Sequence, residues 1–126
     1  MTHSIEAVTR SALALALDAA SLRQQVSAAN IANANTVGYV PRRVSFEDQL
    51  ADARQSVDRS GWIDSTALAQ VSPRVEAIRG ATVGTQVQLD VEVAEMARNA
   101  VHYQALVKGL SRHFSILSMA AGDGRK

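Results

Sequence analysis

Apolar residues recur through the first thirty positions at gaps alternating between three and four: Ile5, Val8, Ala12, Leu15, Ala19, Leu22, Val26 and Ala29. That spacing is the repeat of a coiled-coil seam. Residues 4–33 hold neither Pro nor Gly and are rich in Ala, Leu, Gln and Arg, all good helix formers. Glu6 and Arg10 stand one turn apart on the flank, where opposite charges support a helix. The character changes between Ala32 and Tyr39, where Asn33, Asn35 and Gly38 accept the backbone that ends a helix. A helix is therefore predicted up to that run.

The far end repeats the pattern at Val93, Met96, Ala100, Tyr103, Val107, Leu110, Phe114, Leu117 and Ala121. Asp90 is placed to cap the start, and Glu92 and Glu95 lie where negative charge suits the positive helix end. Lys108 and Arg112 come later, and Gly122 and Gly124 mark the stop. Gly109 within the run costs about 1 kcal/mol relative to Ala and predicts close packing. Each terminal segment, at about 30 residues, would reach about 45 Å. The fold class expected is mainly α: long N- and C-terminal helices paired as an antiparallel coiled coil, with a short irregular or partly β middle segment. The segments are 1–35, 36–88 and 89–121, together one domain.

The middle is less regular. Ser45 could cap a short helix over 45–57, with Asp48 reaching back and Phe46, Leu50, Ala53 and Val57 on one face. Gly61, Pro73, Gly80 and Gly84 punctuate the remainder of the connector, and the run Val83 to Leu89 reads as a strand. Beyond the two seams, Leu13, Leu17 and Ala20 form a second apolar set near the N-terminus, and Leu106, Ile116 and Met119 another near the C-terminus. A lone hairpin would leave both wet, which predicts self-association or assembly into a larger helical body. Coverage by a folded-back middle segment is expected only in part.

Composition narrows the function classes. Thirteen basic residues against twelve acidic ones leave a formal charge of +1, without the basic excess of a nucleic-acid binder. The absence of Cys excludes disulfides, thiolate metal sites and cysteine nucleophiles. The apolar run Ala12 to Leu17 is too short to span a bilayer, and Glu6 and Asp18 spoil it as a secretory signal. His102 and His113 lie eleven residues apart, about 16 Å along a helix, too far to share one metal. Gly80 to Gly84 lacks the Lys-Ser/Thr of a phosphate loop, and no nucleophile elbow or HExxH occurs. Glu92 and Glu95 are explained by helix-end electrostatics before acid–base chemistry. No catalytic residue, cofactor or metal, and neither a nucleic-acid nor a small-molecule partner, is expected.

The run Ala29-Asn30-Ile31-Ala32-Asn33-Ala34-Asn35-Thr36-Val37-Gly38-Tyr39 resembles the N-terminal signature of bacterial flagellar axial proteins, in which an apolar helix is followed by A-N-I-A-N-x-x-T-x-G-Y. Val37 stands where Pro is commonest, with Pro41 following, and Phe46 and Leu50 match the family's F-x-x-x-L. Gly84 to Glu92 is similar to the G-N-x-V-D-L-D-x-E element of rod proteins, with Leu89, Asp90 and Glu92 matching and Thr85 and Gln88 departing. The continuation from Met96 to Ala105, then Leu110, Phe114 and Leu117, resembles the proximal-rod branch, the FlgB type.

The resemblance implies a structural subunit of the flagellar proximal rod, not an enzyme. It implies polymerisation through the terminal helices into the axial drive shaft that carries torque from motor to hook. It also implies export through the flagellar type III apparatus without a cleaved signal peptide, and assembly in the periplasmic space. Partners implied are sister rod subunits, the membrane-ring/rod adaptor and the export apparatus. The interface residues expected are Leu15, Leu22, Val26, Met96, Tyr103, Val107, Leu110, Phe114 and Leu117. The signature residues are Asn30, Asn33, Asn35, Thr36, Gly38 and Tyr39 with Leu89, Asp90 and Glu92. A cytoplasmic coiled-coil adaptor or secretion chaperone would share the heptads without needing the Asn/Gly signature. A small enzyme or nucleotide-binding protein is disfavoured by the empty motif search.

Overall fold

A computed structural model describes residues 2–62 and 65–124; Met1, where the expected N-terminal segment begins, lies outside them. The elements in chain order are α1 (Thr2–Ala32), β1 (Arg42–Ser45), α2 (Glu47–Ser60), α3 (Ser65–Gln70), β2 (Arg74–Ala77) and α4 (Leu89–Asp123). The fold is mainly helical. The 31-residue α1 and 35-residue α4 lie against each other, and the middle segment folds back onto α1 through α3 and β1. Among the described residues, no helix is long and apolar enough to cross a membrane.

The two long helices run antiparallel. Asn30, near the end of α1, bonds Glu92 near the start of α4, and Asn99 reaches back to Ala20 and Gln24. The face that α1 turns to α4 is not the predicted seam. It carries Ala20, Ser21 and Gln24, which border a groove with Asn99, Ala100, Tyr103 and Gln104. Ala20, from the surplus apolar set, is wholly buried there. The seam residues Leu22, Val26 and Ala29 instead look toward Tyr39, Arg42 and Val75 of the middle segment. The small buried core accordingly joins Ala19 and Val26 of α1 to Val44, Leu68 and Val71 of the middle. The folded-back connector thus takes the stripe expected to meet α4. The physical reason is that α1 has two apolar faces of similar strength, and polar pins decide which face each neighbour takes.

The middle segment differs from expectation in three places. β1 and β2 form a two-stranded antiparallel sheet, with Arg43 opposite Glu76 and Val44 opposite Val75. The run Val83 to Leu89 is not a strand. Thr82 to Thr85 form a turn, with Gly84 at φ 98°, the Thr85 amide donating to the Thr82 carbonyl and the Thr85 hydroxyl accepting from the Thr82 amide. The short helix runs from Glu47 to Ser60, capped by Phe46 without a side-chain bond, because Ser45 is held in β1. Likewise α4 starts from Gln88 as its cap, which puts Asp90 inside the first turn. Gln49 ties α2 to the start of the return path, its amide nitrogen donating to the Ser72 carbonyl and its oxygen accepting the Ser72 amide, both at 2.9 Å.

Candidate assembly site: a buried amide clamp and a half-covered helix

α1 ends by a turn that its own asparagine builds. The Asn33 side chain donates to the Ala29 carbonyl at 2.9 Å, and its oxygen accepts the Thr36 hydroxyl at 3.2 Å. The Thr36 amide donates to the Asn33 carbonyl and the Tyr39 amide to the Thr36 carbonyl. Gly38 sits at φ 81°, a left-handed conformation open to Gly at no steric expense, and this reversal sends Tyr39 back toward α1. Asn35, Thr36 and Gly38 remain exposed on the outside of the turn.

Tyr39 thereby meets Asn30, whose side chain is 1% exposed and makes every hydrogen bond that an amide can make. Its oxygen accepts the Tyr39 hydroxyl at 2.7 Å and the Arg42 amide at 3.0 Å. Its nitrogen donates to the Arg42 carbonyl at 2.9 Å and to Glu92 Oε1 at 3.0 Å. Arg42 directs both backbone groups away from β2, so the Asn30 amide occupies the place of a third strand along that edge. One side chain joins helix end, exit turn, sheet and α4. Three of the signature residues, Asn30, Tyr39 and Glu92, therefore form a single cluster. Leu89 and Asp90 stay exposed on the first turn of α4.

A second pin lies farther along the pair. The Asn99 nitrogen donates to the Ala20 carbonyl at 2.7 Å and to Gln24 Oε1 at 3.0 Å. The missing bulk at Ala20 is what lets a side chain on α4 reach a backbone oxygen of α1. Asn99 is not among the expected site residues; an amide beside a seam position is the signal that could have found it. Between the pins, Arg23, Arg42, Arg43, Arg98 and His102 line a groove of about 480 Å³ with Glu92 and Glu95. Arg43 pairs with Glu76 and Arg98 with Glu95, each at 2.9 Å, and the Arg23 guanidinium lies 5.1 Å from the centre of the Phe46 ring. Among the described residues, no group of three or more His, Cys, Asp or Glu could hold a metal ion.

The expected interface residues divide. Val26 is buried, and Leu15, Leu22, Met96, Leu110 and Leu117 are half-buried. Tyr103, Val107 and Phe114 are exposed. On α4 the half-buried positions are Glu92, Met96, Asn99, Leu106, Leu110, His113 and Leu117. Compared with the predicted seam, Asn99 replaces Ala100, Leu106 replaces Val107 and His113 replaces Phe114. The helix is turned by part of a residue step, because Glu92 and Asn99 must face their partners on α1. No residue of α4 is fully buried.

The family model described as "Flagella basal body rod protein" matches residues 11–39, the stretch from mid-α1 through the exit turn. The flagellar basal body rod protein FlgB of Escherichia coli (strain K12) is 30% identical over 110 residues, covering 76% of this chain and 80% of that protein. The chain belongs to the FlgB family of flagellar basal body rod proteins. FlgB of Bacillus subtilis (strain 168) is 29% identical over 116 residues, covering 87% of this chain and 90% of its own. FlgB of Shigella flexneri gives the same 30% identity over 110 residues. Membership in the FlgB family makes this chain a structural component of the flagellar basal body rod and implies assembly with other rod components.

Proposed function

We propose that this chain polymerises through its terminal helices into the proximal part of the rod, the drive shaft that carries torque from motor to hook. The observation that carries this reading is α4: a 35-residue helix with no buried residue and apolar side chains at heptad positions left in water. Such a helix gains stability when further helices cover it. The two amide pins suit a torsional element, since directional bonds fix the register of α1 on α4 where a greasy seam would let them slide. Sister rod subunits and the membrane-ring/rod adaptor are the partners on this reading. The chain reaches the periplasmic space through the flagellar type III export apparatus, without a cleaved signal peptide. Its role is structural, not enzymatic, with no cofactor.

The test is deletion in the source bacterium with complementation, followed by mass spectrometry of detergent-purified basal bodies. Loss of motility, loss of rods and recovery of the chain in the wild-type rod fraction are expected. Intact rods in the deletion strain, with the chain absent from wild-type rods, would refute the reading and favour the cytoplasmic adaptor.

A further inference from the structure

The arm between the two strands leaves and returns at one place. Ser45, the last residue of β1, lies opposite Arg74, the first of β2, so α2 and α3 hang together from the end of the sheet. Two bonds between the Gln49 side chain and the Ser72 backbone close the base of the arm, α2 packs on α3, and α3 lies on α1. The part that reaches α1 is short: the six residues of α3 span about 9 Å, followed by Val71. Leu68 and Val71 are 8% and 7% exposed and join the small core in which Ala19 is buried. The seat is not filled, because an open cleft of about 290 Å³ separates Asp18, Leu22 and Gln25 from Ser72 and Pro73.

The neighbouring face of α1 is held differently, by the bonds of Asn99 to the Ala20 carbonyl and to Gln24. α1 thus has one cover fixed by directional bonds and one resting on two apolar side chains beside a cleft. The second kind opens locally more readily than the first. It lies on the stripe of Leu15, Ala19, Leu22 and Val26, which has the spacing of a coiled-coil seam and would draw copies of the chain together if left bare. We propose that α3 with Val71 is a self-capping lid. Closed, it keeps that stripe from other copies of the free chain; it swings away on the end of the β1–β2 sheet while α1 and α4 stay pinned. The purpose of the lid rests on the rod-subunit reading, since a subunit that polymerises too early is lost to the rod, whereas its motion rests on the packing alone.

The test uses the full chain, in which the lack of Cys makes any introduced thiol the only one. Ala19→Cys is exposed to an uncharged maleimide, and its labelling rate is compared with the rate that global unfolding of the same variant allows, measured in urea. Labelling at least about tenfold faster is expected, because the lid opens without the helix pair. Labelling no faster than global unfolding overturns the lid. Sedimentation velocity reads the capping: Leu68→Ala with Val71→Ala should strengthen self-association at least about tenfold while circular dichroism keeps the long helices. Unchanged self-association overturns the capping role. Adding Gln25→Cys and Ser72→Cys to that variant and joining them with a short bismaleimide holds the lid down; the Ser72 side chain takes no part in the Gln49 bonds. The joined form should return to the wild-type level, and persistence of the stronger association would also overturn the capping role. The labelling result needs no weakening of the lid, so it decides the motion even where the double Ala variant loses helicity. If the lid fails while the deletion strain still lacks rods, the rod reading stands and only the lid falls.

Discussion

Replacing Asn30 tests whether one buried amide organises the end of the helix pair. In Asn30→Leu the side-chain volume is nearly kept and all four hydrogen bonds are lost. The Tyr39 hydroxyl and Glu92 lie at the margin of the cluster and can turn to water. The amide and carbonyl of Arg42 point inward at the place that Asn30 fills and are stranded. Each unsatisfied buried group costs about 1–3 kcal/mol, so the pair amounts to about 2–6 kcal/mol. Against a total of about 5–15 kcal/mol for an ordinary domain, that is a large fraction. At about 2–8 °C per kcal/mol for domains bracketing this size, the midpoint of thermal unfolding should fall by at least about 4 °C. Asn30→Asp sharpens the argument. It keeps the shape but sets a carboxylate against the Arg42 carbonyl and the Glu92 carboxylate, so the folded state binds a proton more tightly than the unfolded one. Stability must then fall as pH rises, and Asn30→Asp should recover toward wild type on acidification, whereas Asn30→Leu should not. The assay is circular dichroism melting of both variants across the acidic range. A midpoint for Asn30→Leu within about 2 °C of wild type, or an Asn30→Asp deficit that does not shrink with acid, would refute the clamp.

Other substitutions probe other links. Ala20→Leu inserts bulk where the helices touch and should destabilise by about 1–3 kcal/mol in urea unfolding, with Asn99 pushed off the Ala20 carbonyl. Gly38→Ala meets no neighbouring atom, so its expense is conformational alone, about 1–2 kcal/mol by the same assay. Phe114→Asp should leave the isolated chain as helical as wild type but fail to restore motility to a deletion strain. His102→Ala, on an exposed side of α4, should restore motility fully; complete loss would return the neighbouring groove to consideration as a chemical site.

Much of this architecture is legible in the sequence, and the limits are informative. Alternating gaps of three and four announce both long helices, and Asn33 with Gly38 announces the exit from the first. Which stripe faces which neighbour is not legible, because Leu13, Leu17 and Ala20 compete with the a/d set on equal terms. Asn99 and Asn30 decide it through hydrogen bonds that span 79 and 62 positions of sequence. The resemblance to axial proteins picks out Asn30, Tyr39 and Glu92 as signature residues but says nothing of their bonding to one another. The strand expected over Val83 to Leu89 fails because Gly84 bends the run into a turn. The real strands escape notice because Arg42-Arg43-Val44-Ser45 and Arg74-Val75-Glu76-Ala77 are short and place the charged Arg42 among Val44, Val75 and Ala77 on one face, with Arg43, Arg74 and Glu76 on the other.

The bonds of Asn30 differ in how far they reach along the chain, and this orders the formation of the fold. Three of them close loops of only nine and twelve positions, to Tyr39 and to both backbone groups of Arg42, whereas the fourth spans 62 positions to Glu92. Closing a short loop loses less chain entropy than closing a long one, so the helix end, its turn and the first strand can come together before α4 arrives. The same asymmetry operates in reverse: lifting α4 away breaks one bond of the four and leaves the rest of the knot tied. A chain delivered N-terminus first would carry its own folding nucleus ahead of the helix that must find its neighbours.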